Sequence, residues 1–344
     1  MQAFKHFHDD WLDYSVLEGT TSNNTKIEYL RMNLGIPFFD QLSFQPADLK
    51  EYRYLAAKSC AETLGDRPAL CISGGVDSQA MVQCFHEFGY NYDVYCLTFN
   101  NDLNIHDVSY ARKFAERNNF KLNEINIDIL NFLTRENLDY AVRYNCSSPH
   151  FNTHFKLFDI LRSKGYTSVV CGGNVPTQTL ESDGRIIWGG GYGRNTLSFI
   201  KYSKISGFLA QGCFLSYHPR LAWATALLTP ITEYFRPHTH MPWEEKLLRD
   251  KSRYDDKCMG YKRAGFDIIT QETKYTGFEL VKKHYADQTG DGWVFERRFR
   301  YPLEKLLHKD KFGLPEIYID EQMQLKLDEL YRKNLLPRRT PSGI

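Results

Sequence analysis

The 344-residue chain has no long apolar run, no paired-cysteine motif and no excess of charge of either sign. Its longest apolar stretch, Leu221 to Ile231, is too short to cross a bilayer and carries Thr and Pro. The start, Met1-Gln2-Ala3-Phe4-Lys5-His6, lacks the apolar core of a secretory signal. These absences predict a cytoplasmic protein with no membrane partner. A formal net charge of +1 leaves no general electrostatic drive toward nucleic acid or an anionic membrane surface. The eight cysteines (Cys60, Cys71, Cys84, Cys96, Cys146, Cys171, Cys213, Cys258) are scattered without Cys-x-x-Cys spacing. Buried free thiols in a reducing compartment are expected. His150 and His154 are four apart and would share a helix face, but Pro149 marks a helix start and no zincin glutamate follows, so capping or structural roles are expected.

Apolar runs alternating with helical patterns are abundant. Asp48 to Leu64 reads as a helix stopped by Gly65-Asp66-Arg67-Pro68. Then follow strand 69–73, helix 78–88, strand 93–99, helix 106–118, strand 121–128 with a loop after it, helix 152–164 and strand 167–172. Such alternation predicts an α/β fold, a doubly wound parallel sheet covered by helices. Residues 1–47 read as an N-terminal appendage and 48–184 as the α/β domain. Residues 185–344 read as a mostly helical substrate-specificity region with a basic tail, with helices at 196–210, 219–230 and 243–264. Inside it the Gly-rich stretch Trp188 to Asn195 has two aromatics and one cation, suited to closing over a substrate.

The stretch with the most chemistry is Leu70-Cys71-Ile72-Ser73-Gly74-Gly75-Val76-Asp77-Ser78. A buried strand runs into a Ser-Gly-Gly-x-Asp-Ser turn and then a helix. Two glycines let successive N–H groups converge on an anion, and the helix adds its positive end. Ser73 and Ser78 supply hydroxyls. Asp77 repels phosphate and is assigned to Mg²⁺ arriving with it. Five fixed letters in six positions arise by chance with a probability on the order of 10⁻³ or less from average usage, which argues against an ordinary capped βα turn. No Gly-Lys-Ser/Thr follows, and the Gly-x-Gly-x-x-Gly spacing is absent.

Ser73-Gly74-Gly75-Val76-Asp77-Ser78 resembles the signature of the PP-loop (N-type) ATP pyrophosphatases, of the adenine nucleotide alpha hydrolase-like group. The resemblance implies a HUP/Rossmann-like fold, ATP and Mg²⁺ as cofactors, and cleavage of ATP between its α- and β-phosphates with AMP passed to a substrate oxygen. It implies that the strand end at Thr98 and Phe99 holds adenine, mostly through backbone groups, and that Gly172-Gly173 approaches the phosphates or ribose. Phe295 to Glu304 is similar to a terminal segment of asparagine synthetases, with Arg300-x-Pro302-Leu303 fitting half of it. Lys274, Arg298 and Arg300 are the candidate cations for the α-phosphate. Where asparagine synthetases have an acidic pair, this chain has Asn174-Val175-Pro176, and where the glutamine-dependent ones have a catalytic Cys it has Gln2. An asparagine-synthetase-like enzyme without a glutaminase domain is expected. Its partners would be ATP, a small-molecule acceptor, and free ammonia, a substrate amine or a donor subunit. The alternative is modification of a tRNA or nucleobase, favoured if Cys146 or Cys171 proves reactive.

Overall fold

The computed structural model describes residues 12–20, 26–34, 47–65, 67–173, 177–180, 186–189, 194–230, 232–233, 243–272, 277–307 and 316–318. Two strands, β1 (Leu12–Thr20) and β2 (Lys26–Leu34), pair antiparallel ahead of the first helix, α1 (Asp48–Leu64). Asp48 and Glu51 favour the positive end of α1. Leu49, Tyr52, Ala56, Ala57, Cys60 and Leu64 form its buried stripe.

A parallel sheet is built next. Strand β3 (Ala69–Cys71) leads to α2 (Val76–Glu87), β4 (Asp93–Phe99) to α3 (Ile105–Arg117), and then β5 (Leu122–Ile127). The chain continues through helical segments α4 (Ile129–Asn131) and α5 (Asn137–Tyr144), joined by one wide turn at Phe132–Glu136. Helix α6 (Pro149–Ser163) and β6 (Ser168–Cys171) follow. Ser148 Oγ accepts the Phe151 N–H, and Pro149 occupies the first turn of α6, where its missing donor has no consequence.

Strands β7 (Thr177–Leu180) and β8 (Ile186–Gly189) form an antiparallel hairpin before α7 (Arg194–Ser206), β9 (Leu209–Gln211) and α8 (Pro219–Leu228). After β10 (Thr232–Glu233), which runs beside β7, come α9 (Trp243–Arg263), α10 (Glu279–Thr289), α11 (Tyr301–Leu307) and β11 (Glu316–Tyr318), which runs beside β2.

The main sheet has the order β5-β4-β3-β6-β9 with every pair parallel. Its centre is short and apolar: Leu70, Val169 and Val170 are fully buried, as strands covered on both faces require. Residues of α1, α2, α3, α8 and α9 pack on one face. Phe155, Phe158, Phe199 and Tyr202 of α6 and α7 pack on the other. The chain moves outward from β3 through β4 and β5, then returns to the far side of β3 at β6. The switch point therefore lies between β3 and β6, where doubly wound sheets open a crevice.

Two stretches differ from the sequence expectation. The loop expected after strand 121–128 is helical to Tyr144, capped by Asp128 Oδ1 on the Asn131 N–H (3.0 Å) and ended by Asn145 at φ +54. The helix expected at 196–210 stops at Ser206. Gly207 turns at φ +69, and 209–211 becomes the fifth strand, fixed by the Ala210 N–H to Ser203 Oγ (3.0 Å). Part of the stretch read as purely helical thus completes the main sheet. Among the described residues no helix is long and apolar enough to cross a membrane.

His154 lies beside the rings of His150, Phe151 and Phe158 on α6, and burial lowers its imidazole from 6.5 to about 4. Between those values the unfolded chain binds a proton that the folded chain refuses. Stability therefore falls as pH drops through this window, by up to about 3 kcal/mol at about 1.4 kcal/mol per tenfold. Urea denaturation at neutral pH and near pH 4 checks this. His154→Phe is expected to flatten the pH dependence relative to the wild type, and equal slopes in the two proteins would defeat it.

Candidate functional site

The turn after β3 is assembled from its own side chains. Ser78 Oγ donates to Gly75 O (2.8 Å) and accepts the Ser73 N–H (3.2 Å), while Ser73 Oγ accepts the Gly75 N–H (3.4 Å). Gly74 sits at φ +83, and a Cβ there would overlap Asp107 O and stand 3.0 Å from Ala111 N. Only glycine lets the first turn of α3 pack that close. Helix α2 begins at Gly75 with no side-chain cap, so its first N–H donors face the turn.

Two glutamines set the direction of the loop. Gln79 Nε2 and Gln271 Nε2 both donate to Gly74 O, at 2.7 and 2.9 Å. A trans peptide points its N–H opposite its C=O, so pulling this carbonyl outward turns the Gly75 N–H inward. Gln79 also exchanges a bond pair with Ile269, donating to its O (3.0 Å) and accepting its N–H (2.6 Å). The strap 269–271, just after α9, is thereby fastened beneath the loop.

The end of β6 closes the other side. A Cβ at Gly172 would stand 2.5 Å from Asp77 C and overlap Ser78 N; Gly173 is at φ +74, where a Cβ would stand 2.5 Å from Cys213 Cα. The end of β6 therefore meets the start of α2 and the chain just past β9 at close range. Of the sequence-predicted residues, Ser73, Gly74, Gly75, Asp77, Ser78, Gly172 and Gly173 are brought together here.

Asp77 faces α9. Lys257 Nζ donates to its Oδ2 and Tyr261 OH to its Oδ1, each at 2.6 Å. Both carboxylate oxygens are engaged, one by a cation. Lys257 and Tyr261, with Gln79 and Gln271, are site residues that motif reading missed. Their one local signal is spacing, since Tyr254, Lys257, Cys258 and Tyr261 fall on a single helical face.

The remaining predicted residues are placed differently. Thr98 Oγ1 accepts Asn126 Nδ2 (3.1 Å). Phe99 is 5% exposed, with its ring packed edge-on to Phe278 at 5.5 Å. Its N–H is held by Asn104 Oδ1 (2.9 Å), while Asn104 Nδ2 holds Leu97 O (2.8 Å). The Phe99 N–H, one of the backbone groups at the strand end expected to hold adenine, is thus engaged within the protein. The Arg298 guanidinium stacks over Tyr285 and Phe299, and Arg300 Nε pairs with Glu304 (2.9 Å). Neither contact reaches the loop; the cation that touches it is Lys257. Lys274, residues 190–193 of the Gly-rich stretch and Asn174-Val175-Pro176 lie outside the described residues.

A second polar group lines the same edge. His106 Nε2 and the Gly277 N–H both bond Glu279 Oε2, at 3.0 and 2.8 Å, and a Cβ at Gly277 would stand 3.0 Å from Asp107 Oδ2. The segment before α10 is thereby tied to the start of α3. Among the described residues, no three His, Cys, Asp or Glu side chains gather in a metal-holding group.

Fold and site together define a doubly wound α/β protein with a glycine turn and an uncapped helix start at its topological switch point. No protein-family model matches the chain, and no curated protein does. Among solved structures it is similar to the U34-tRNA thiolase NcsA from Methanococcus maripaludis with its 4Fe-4S cluster, at 15% identity over 77% of this chain and 81% of that one, TM-score 0.33. It is also similar to NMN synthetase from Francisella tularensis, at 11% identity over 88% of this chain and 100% of that one, TM-score 0.26. At those values neither likeness bears on what this chain does, and the functional reading rests on its own residues.

Gly172 offers a sharp test. Gly172→Ala forces a methyl into the backbone of α2, where nothing flexible can yield. Nucleotide affinity is expected to fall at least tenfold with a lowered melting temperature; unchanged binding by titration calorimetry would dissociate this glycine from the site.

Proposed function

We propose that the chain is an ATP-dependent, AMP-forming enzyme of the PP-loop type. The observation carrying this reading is the Ser73–Ser78 turn at the switch point, with Gly172 against the start of α2. In this reading an oxygen of a small-molecule acceptor, a carboxylate or amide, attacks the α-phosphorus. The bond to the β-phosphate breaks, and pyrophosphate leaves into the loop. An amine or ammonia then forms the new C–N bond as the C–O bond to AMP breaks, as in asparagine-synthetase-like chemistry. The chain's own contribution is positioning and charge stabilisation. The inward N–H groups and the Ser73 hydroxyl hold the leaving pyrophosphate, the Ser78 hydroxyl braces the loop through Gly75 O and the Ser73 N–H, and Lys257 is the cation beside them. Mg²⁺, which neutralises phosphate charge when it accompanies ATP, does not fit at Asp77 as its oxygens are engaged.

Base modification is the second reading. Its sulfur-delivering form meets an obstacle at one of its two candidate thiols: burial pushes Cys146 up to about 12, so it supplies no thiolate near neutral pH. All eight cysteines are free thiols, in keeping with a reducing, cytoplasmic setting.

The deciding experiment is ³¹P NMR of the protein with Mg-ATP and pooled small metabolites. AMP and pyrophosphate are expected, with Ser78→Ala reducing turnover at least a hundredfold. ADP and inorganic phosphate as products would overturn adenylation.

A further inference from the structure

The motif assigns Asp77 to a metal, and the geometry points elsewhere. We infer that Asp77 stations the Lys257 ammonium at the mouth of the loop, so that a protein cation rather than a protein-held Mg²⁺ meets the phosphates there. The inference rests on the nucleotide reading above. Its first support is occupancy. Mg²⁺ requires a carboxylate oxygen at about 2.0–2.1 Å in near-octahedral geometry. Here Oδ2 receives the Lys257 ammonium and Oδ1 the Tyr261 hydroxyl, each at 2.6 Å. A metal at Oδ2 would sit against a positive charge already in place, and one at Oδ1 would compete with the Tyr261 hydroxyl.

The second support is rigidity. The Asp77 and Lys257 side chains are 18% and 16% exposed, and Tyr261 is fully buried against the ring of Phe266 at 5.4 Å. The strap that follows α9 is bonded to the same loop through Gln79 and Gln271. Lys257 is therefore delivered by a helix whose distance from the loop is fixed independently of the ion pair.

The electrostatics agree. A bare carboxylate in the first turn of α2 would repel phosphate at the spot where the helix start attracts it. Pairing with Lys257 cancels that charge. An ammonium carries three donors, so one group can serve a carboxylate and a phosphate together.

The test is calorimetric titration of the full chain with inorganic pyrophosphate in EDTA, where no divalent metal takes part. Wild type is expected to bind, Lys257→Met to weaken binding at least tenfold and Lys257→Arg to stay within about threefold. Asp77→Asn is expected to weaken it as the ammonium loses its anchor, and the double variant to be no weaker than Lys257→Met alone. Melting curves and the Lys257→Arg protein separate this from misfolding. In parallel, Mn²⁺ affinity in the presence of α,β-methylene-ATP, read by electron paramagnetic resonance, is expected to stay within about twofold in Asp77→Asn. A tenfold loss of Mn²⁺ affinity in Asp77→Asn, with pyrophosphate binding intact in Lys257→Met, would restore Asp77 as a metal ligand and overturn the inference. A wild type that binds neither pyrophosphate nor the ATP analogue would instead overturn the nucleotide reading, and this inference with it.

Discussion

The close approach of two backbones at the centre of the sheet governs the rest of the site. Neighbouring strands β3 and β6 send their chains to opposite faces, and the crevice between their ends is only as deep as the residues there allow. A Cβ at Gly172 would occupy the place of Ser78 N. Without it, the end of β6 lies directly on the start of α2. Gly173 carries the same closeness onward to Cys213, which fixes where the chain leaves β9. One missing side chain at each step lets the end of β6, the start of α2 and the chain just past β9 share one small volume.

Orientation is a separate matter from closeness. A glycine pair has many conformations, and a loop that must converge N–H groups needs one of them. The selection falls to two amides, one near in sequence and one distant: Gln79 inside α2 and Gln271 beyond α9 take the same Gly74 carbonyl. Each bond is modest alone, about 1 kcal/mol net. Together they bias a single peptide plane whose flip would turn the Gly75 donor out of the loop and cost both buried amides the Gly74 carbonyl. The strap 269–271 thus acts on the loop while forming none of its wall.

Local features were legible in the sequence for local reasons. The strands β3, β4, β5 and β6 and helices α1, α2, α3 and α6 follow from apolar periodicity and from stops such as Gly65 and Gly89. The turn Ser73–Ser78 was visible because its pattern lies in six consecutive letters. Strand β9 is three residues long, too short to show a period, and it exists because β6 has an open edge. The helical run 129–144 was hidden by alternating apolar residues at Leu122, Ile125 and Ile127 leading into it. Arg298 and Arg300 matched a motif fragment by letter, yet the fold spends them on aromatic faces and on Glu304, since their segment is anchored through Phe295 and Phe299 to Phe278 and Phe99.

Asp77 shows where a motif stops carrying information. Its position on the first turn of α2 is local, whereas its partners lie 180 and 184 residues downstream. The same carboxylate can hold a metal or hold a lysine, and what decides is the side chain that the next layer of the fold presents to it. A lysine left loose would lose about 2 kcal/mol of side-chain entropy on meeting a phosphate. One already fixed by a carboxylate on a rigid helix has lost most of that freedom on folding, so less is lost at binding. An acidic residue inside a loop that receives phosphate is then no contradiction: it orders the cation that offsets it.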